Sequence, residues 1–142
     1  MMRKVLTLRL PAVLENVPVV MDRIIEAATK VGLDETILQQ IRLVVDEACA
    51  NVVTHAYEGM EPGDMEITCS HGAQSCMIEV RDWGQGFALD RVPIPDLDCC
   101  LDERNLGGLG LFLIRHFMDQ VEYSRDTRTG NVLTMTKKLP IR

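Results

Sequence analysis

Glu47, Asn51 and His55 follow one another at four-residue intervals in the stretch Glu47-Ala48-Cys49-Ala50-Asn51-Val52-Val53-Thr54-His55-Ala56-Tyr57. On an α-helix that interval lines side chains along one side, roughly 6 Å per step. A carboxylate placed there can take a proton from a hydroxyl or a water. An amide oxygen one turn away is a hard ligand of the kind Mg²⁺ accepts, alongside waters and substrate phosphates. The imidazole is more ambiguous, because a histidine at a helix end commonly bonds the last carbonyls. Opposite this row, Ile37, Ile41, Val44, Val45, Ala48 and Val52 form an apolar stripe at helical spacing. Taken alone, the polar row is equally well a solvated helix face.

Two glycine clusters downstream add to it. Asp82-Trp83-Gly84-Gln85-Gly86-Phe87 directly follows a strand pattern. Glycines there let the backbone turn tightly and approach a flat ligand closely. Asp82, at the strand end, can accept from an exocyclic amine such as that of adenine; the plainer reading is a glycine turn shaped by an aspartate. Gly107-Gly108-Leu109-Gly110 opens an apolar helix pattern at 111–118. Free N–H groups at a helix start bind phosphate, although such a cluster also serves simply to let a helix pack closely. It is neither a Walker A loop nor a full dinucleotide fingerprint.

The elements that must position these residues can be read in order. Lys4 to Leu10 reads as a strand ended by Pro11. Val17, Val20, Met21, Ile24, Ile25, Ala28 and Val31 recur at helical spacing over 14–31, and Gly32 closes that helix. Asp34 is a good N-cap for the next helix, which carries Glu47 and Asn51 and runs to Ala56 or Tyr57. Residues 64–70 and 75–81 alternate and read as an antiparallel hairpin, as do 121–125 and 131–138. Residues 88–106 carry Pro93, Pro95 and several aspartates with little periodicity. A segment of that length is usually a lid, a binding loop or disordered. In the helix at 111–118, Phe112, Leu113 and Phe117 are expected to face the sheet. The order predicts an α+β fold, a two-layer sandwich whose mixed, mostly antiparallel sheet is covered on one face by helices.

A length of 142 residues argues for one domain, 1–142, with a core that needs no staples. The formal net charge of −6 argues against nucleic acid as a direct ligand. No apolar run is long enough to span a membrane and no secretory leader opens the chain, so a cytoplasmic location is expected. The cysteines at 49, 69, 76, 99 and 100 are odd in number and match no zinc spacing. Reduced thiols are expected, with a redox role for the vicinal Cys99-Cys100 pair as the lesser alternative.

Glu47-x-x-x-Asn51, Asp82-x-Gly84-x-Gly86 and the glycines at 107–110 resemble the three nucleotide-binding boxes of the Bergerat-fold ATPases, which include gyrase and the histidine kinases. The fuller segments Asn51-x-x-x-His55-Ala56-Tyr57, Asp82 to Phe87 and Gly107 to Ile114 resemble the stand-alone anti-sigma factor serine/threonine kinases of bacteria. The resemblance runs over nearly the whole chain. It implies ATP and Mg²⁺ as cofactors, with Asn51 holding the metal and Asp82 the adenine amine. It implies Glu47 as the base acting on a protein serine or threonine hydroxyl. Gly84 and Gly86 would shape the adenine side, and Gly108, Leu109, Gly110 and Leu111 would cradle phosphates. Residues 88–106 would be the ATP lid, with Arg104 reaching a phosphate or remaining a solvated loop arginine. The partners implied are a sigma factor and an anti-anti-sigma antagonist, and a homodimer is implied as well. The alternatives are a non-catalytic ATP-binding module that acts by protein contacts and a detached histidine-kinase-type catalytic module. None of the histidines at 55, 71 and 116 reads as a phosphoacceptor.

Overall fold

The computed structural model describes residues 2–85, 106–126 and 128–140, with 106–109 as helix backbone alone. Gly86, Phe87, Arg104, the Cys99-Cys100 pair and the expected lid up to residue 105 lie outside the described residues.

Strand β1 (Arg3–Pro11) leads through a single 3-10 turn at Leu14–Asn16 into helix α1 (Val17–Lys30). The α-helix starts three residues later than periodicity suggests. Pro18 lacks an N–H and is accommodated in a first turn, where no intrahelical bond is lost. Gly32 then adopts φ +88°, the left-handed conformation that ends a helix cheaply only for glycine. Helix α2 (Glu35–Asn51) begins as expected: the Asp34 carboxylate accepts from the Ile37 N–H at 3.0 Å. Its expected stripe is buried, with Ile37, Ile41, Val44, Val45 and Ala48 all at or below 6% exposure.

The chain departs from the simple helix at Asn51. Residues Val52–Ala56 form a π-helical turn in place of a continued α-helix. A π turn is wider, so residues beyond it leave the row set by four-residue spacing.

Hairpin β2 (Asp64–His71) and β3 (Ser75–Asp82) follows as expected. Helix α3 (Leu106–Phe117) starts at the last residue of the expected lid, so the glycine cluster lies inside its first turns rather than ahead of it. The face of α3 also differs from expectation. Leu111 and Ile114, with Met118 just past the helix, are buried, whereas Phe112, Leu113 and Phe117 are only half-buried. An interval of three and four from Leu111 selects that face once the helix is allowed to start at 106.

Strands β4 (Gln120–Ser124) and β5 (Asn131–Lys138) complete a five-stranded sheet in the order β1-β2-β3-β5-β4. All four pairings are antiparallel, so the described sheet contains no parallel pair and is not mixed. Alternation sends Met65, Ile67, Cys69, Cys76, Ile78, Val80, Leu133 and Met135 to one face, where they join the apolar residues of the three helices in a continuous core. Each large side chain buried there contributes roughly 1.5–3 kcal/mol. Cys49, Cys69 and Cys76 are free thiols inside this core. Burial pushes Cys49 and Cys69 up to about 12 and Cys76 up to about 11, which keeps them unreactive near neutral pH. Among the described residues, no helix is long and apolar enough to cross a membrane.

The β3–β5 register pairs Asp82 with Asn131 at the end of the sheet, where the inner face meets the C-terminal end of α2.

Candidate active site

Asp82 continues the inner face of β3 but carries a carboxylate, and it is 2% exposed. Burying such a group is costly unless it is hydrogen-bonded. Its Oδ1 accepts from the Gly84 N–H and from the Asn131 side-chain amide, both at 2.9 Å. The same Asn131 nitrogen also donates to the Gly84 carbonyl at 3.0 Å. One buried amide therefore holds both the carboxylate and the turn that follows it. Its Oδ2 takes no part in these bonds.

The turn is fastened to the end of α2. Gly84 lies so close to the π turn that a methyl group there would fall 1.9 Å from the Ala56 carbonyl oxygen, so only glycine fits without moving backbone. Gln85 N–H donates to that same oxygen at 2.8 Å. Tyr57 adds a second fastening: its hydroxyl accepts from the Trp83 N–H at 2.9 Å and donates to the Asp64 carbonyl at 2.6 Å. Outside it, the Arg9 guanidinium stacks on Trp83 at 4.2 Å and pairs with Asp64 at 3.1 Å. Trp83 thus packs against Arg9, while Phe87 lies outside the described residues.

On α2 itself, Asn51 is not on a solvated face. It is 7% exposed, and its Nδ2 is buried with no hydrogen-bond partner. Such an unpaired donor calls for an oxygen partner, which an ordered water or a ligand would supply, whereas a cation would be held by the amide oxygen. Glu47, one turn earlier, lies against α3. A methyl group on Gly110 would come 2.6 Å from Glu47 Oε2. Burial, and after it the neighbouring charge of Asp46, raises the Glu47 pKa above the usual carboxylate range. That direction suits a general base, which works best with a pKa closer to the working pH.

Because α3 starts at Leu106, the N–H groups of Leu106, Gly107 and Gly108 are those without intrahelical acceptors. From Leu109 onward the N–H groups are committed within the helix. Gly110 makes room for Glu47, and the Leu111 side chain is buried in the core. His55 does not join the row. It is 46% exposed and approaches Glu58 at 4.0 Å.

Among the described residues, Glu47 meets Gly110 where α2 faces α3, Asp82 and Gly84 are fastened to the π turn that follows Asn51, Gly108 and Leu109 are helix backbone, and Leu111 lies in the core. Tyr57 and Asn131 are equally built into this place, and the residue pattern did not single them out. The available signal for Asn131 was an asparagine, a poor strand former, opening a strand that continues Val132-Leu133-Thr134-Met135-Thr136.

The residues fit a nucleotide with a divalent cation. They include an asparagine whose amide oxygen can hold a cation, a clamped carboxylate and a helix start with free N–H groups. Among the described residues, no three His, Cys, Asp or Glu side chains gather to hold a metal. Mg²⁺ commonly relies on one or two protein ligands together with phosphates.

These features, on an antiparallel sheet covered by helices, define a nucleotide-binding domain of the Bergerat type. The chain belongs to the histidine kinase-like ATPase domain family, whose pattern matches residues 10–137. It is homologous to bacterial anti-sigma factor kinases. The serine-protein kinase RsbW of Halalkalibacterium halodurans is 39% identical over 133 residues, covering 91% of this chain and 80% of that protein. RsbW of Listeria monocytogenes is 31% identical over 133 residues, 91% of this chain and 85% of that protein. The anti-sigma F factor of Bacillus cytotoxicus is 33% identical over 120 residues, 82% of each.

Proposed function

We propose that this protein is an ATP-dependent protein serine/threonine kinase that works by partner switching, as a single kinase domain spanning residues 1–142. It holds a sigma factor and phosphorylates the anti-anti-sigma antagonist that competes for it. The carrying observation is the Glu47 carboxylate, set against Gly110 near the start of α3 and one turn from the unpaired Asn51 amide. A site that only binds nucleotide needs no proton acceptor there.

In this reading Asp82 receives the adenine amine, and Gly84 and Gly86 leave room for the ring. Asn51 is the protein ligand of Mg²⁺. Gly108 offers its free N–H on the phosphate side, Leu109, Gly110 and Leu111 shape the first turns of α3 behind it, and Arg104 adds a charge from the lid. Bound Mg²⁺ supplies charge neutralisation on the phosphates. Glu47 orients the acceptor hydroxyl and takes its proton. The hydroxyl oxygen bonds to the γ-phosphorus as the bond to the leaving ADP oxygen breaks. Most of the rate gain comes from holding these groups in line.

The names of the relatives support the serine-directed activity and the sigma-factor partner. A cytoplasmic site of action, a homodimer and the absence of direct nucleic-acid or membrane binding belong to the same reading.

The test is incubation with labelled ATP, Mg²⁺ and candidate antagonist proteins. Transfer to a serine or threonine, lost in Glu47→Gln, is the expected result. ATP binding without transfer to any of them would favour a non-catalytic regulatory module. Label retained on a histidine would favour a detached histidine-kinase module.

A further inference from the structure

Asn131 stands out as a buried polar residue at the site to which neither the motifs nor the chemistry above gives a part. It is 5% exposed and opens β5 directly opposite Asp82. A side-chain amide nitrogen has two hydrogens. In Asn131 one goes to Asp82 Oδ1 at 2.9 Å and the other to the Gly84 carbonyl at 3.0 Å. The position is itself fixed. Gly130, at φ +97°, turns the chain into β5 so tightly that a methyl group there would lie 2.8 Å from the Asp82 carbonyl oxygen. Neither the carboxylate nor the turn is free to swing while the amide holds both.

We propose that Asn131 is a positioning residue that sets the base selectivity of the nucleotide site; this rests on Asp82 being the adenine-facing group. By occupying Oδ1, Asn131 and the Gly84 N–H leave Oδ2 as the oxygen for the ligand. A carboxylate oxygen held in place by two donors on its twin accepts well from an amine and repels a carbonyl oxygen. The ligand class selected is therefore a 6-aminopurine over a 6-oxopurine. Removing the amide lets the carboxylate turn, so the preference falls even though Asp82 remains.

The probes are ATP and inosine triphosphate, which differ where the amine is replaced by a carbonyl oxygen. Dissociation constants with Mg²⁺ are measured for the full-length wild type, Asn131→Ala and Asn131→Asp, alongside thermal melts. Wild type should prefer ATP by about ten- to a hundred-fold, the range of a hydrogen bond to a charged group. Asn131→Ala should lose most of that preference through weaker ATP binding, with inosine triphosphate nearly unaffected. Asn131→Asp keeps the shape but sets a carboxyl against Asp82, and two such groups in contact share a proton. Its preference should be greater at low pH, where the shared proton restores a donor, than at high pH, where that proton is lost.

Equal loss for both nucleotides, or an unchanged ratio in both variants, would overturn the proposal and show only a structural role. If Asn131→Ala does not fold, the pH response of Asn131→Asp decides alone. Wild type that binds ATP without preference also overturns it while leaving the nucleotide site standing. Wild type that binds neither nucleotide overturns the site reading and this inference together.

Discussion

The Glu47 carboxylate and the backbone of Gly110 are in contact across two helices, so that a methyl group at Gly110 would sit 2.6 Å from Glu47 Oε2. The contact ties the proposed base on α2 to the first turns of α3, the phosphate side of the site. Gly110→Ala should therefore separate activity from stability. The clash falls on the far end of a flexible side chain, which can swing aside. Alanine also favours the helix by about 1 kcal/mol over glycine. The melting temperature should stay level or rise, while phosphoryl transfer falls about ten-fold or more. A thermal melt and a single-turnover rate on the same preparation check both halves.

Glu47 makes a prediction about pH. Burial first, then Asp46, raises its pKa in the folded protein. The acidic limb of the transfer rate should lie above the ordinary glutamate range, and Asp46→Asn should move it down. Stability has the matching sign. A folded-state pKa above the unfolded value gives a contribution that is complete below the unfolded pKa. It is lost as pH rises through the folded one. Glu47→Gln should then melt at or above wild type at pH 7, and the difference should disappear below about pH 4. A stability loss in Glu47→Gln at neutral pH would contradict this.

Asn51 makes a complementary one. Its Nδ2 gives up no hydrogen bond when removed, because it has none. Asn51→Ala should lose little stability yet bind Mg-ATP at least ten-fold more weakly. In the variant, chelating the metal with EDTA should change ATP affinity much less than it does in wild type. Isothermal titration with and without EDTA measures this.

The end of α2 and the glycine turn depend on Tyr57 and Gly84. Tyr57→Phe strands the Trp83 N–H and the Asp64 carbonyl and should cost about 1–3 kcal/mol. Gly84→Ala drives a methyl group into backbone at 1.9 Å and should cost at least as much. At roughly 2–4 °C per kcal/mol for a chain of this size, either loss is visible in a melt. Both should weaken ATP binding too, because Asp82 begins the turn they hold.

Local patterns carried much of this fold. Asp34 and Gly32 mark the joint between α1 and α2 because capping and left-handed turns depend on few residues. The strands alternate because one face is buried. Glu47 and Asn51 are legible because one α-helical turn separates them. The same rule alone would put His55 in that row; the π turn at Val52–Ala56, which has no local signal, takes it out, in keeping with the structural helix-end role expected for it. The lateral contacts are the illegible part. Nothing near Gly110 names Glu47 as its neighbour, and Asn131 reaches Asp82 only through a strand register 49 residues away in the chain. The face of α3 follows once its start is known, but its first turns contain the glycine-rich stretch itself, which has weak helix propensity.

The most direct test follows the γ-phosphate itself. Wild-type protein, Glu47→Gln and Gly110→Ala are mixed with γ-labelled ATP, Mg²⁺ and a purified anti-anti-sigma antagonist, and the label on the antagonist is followed over time. Wild type should place the label on one serine or threonine. Glu47→Gln should bind ATP with near wild-type affinity and transfer none, and Gly110→Ala should fall between them. Equal transfer by wild type and Glu47→Gln would contradict the role of Glu47 as the base.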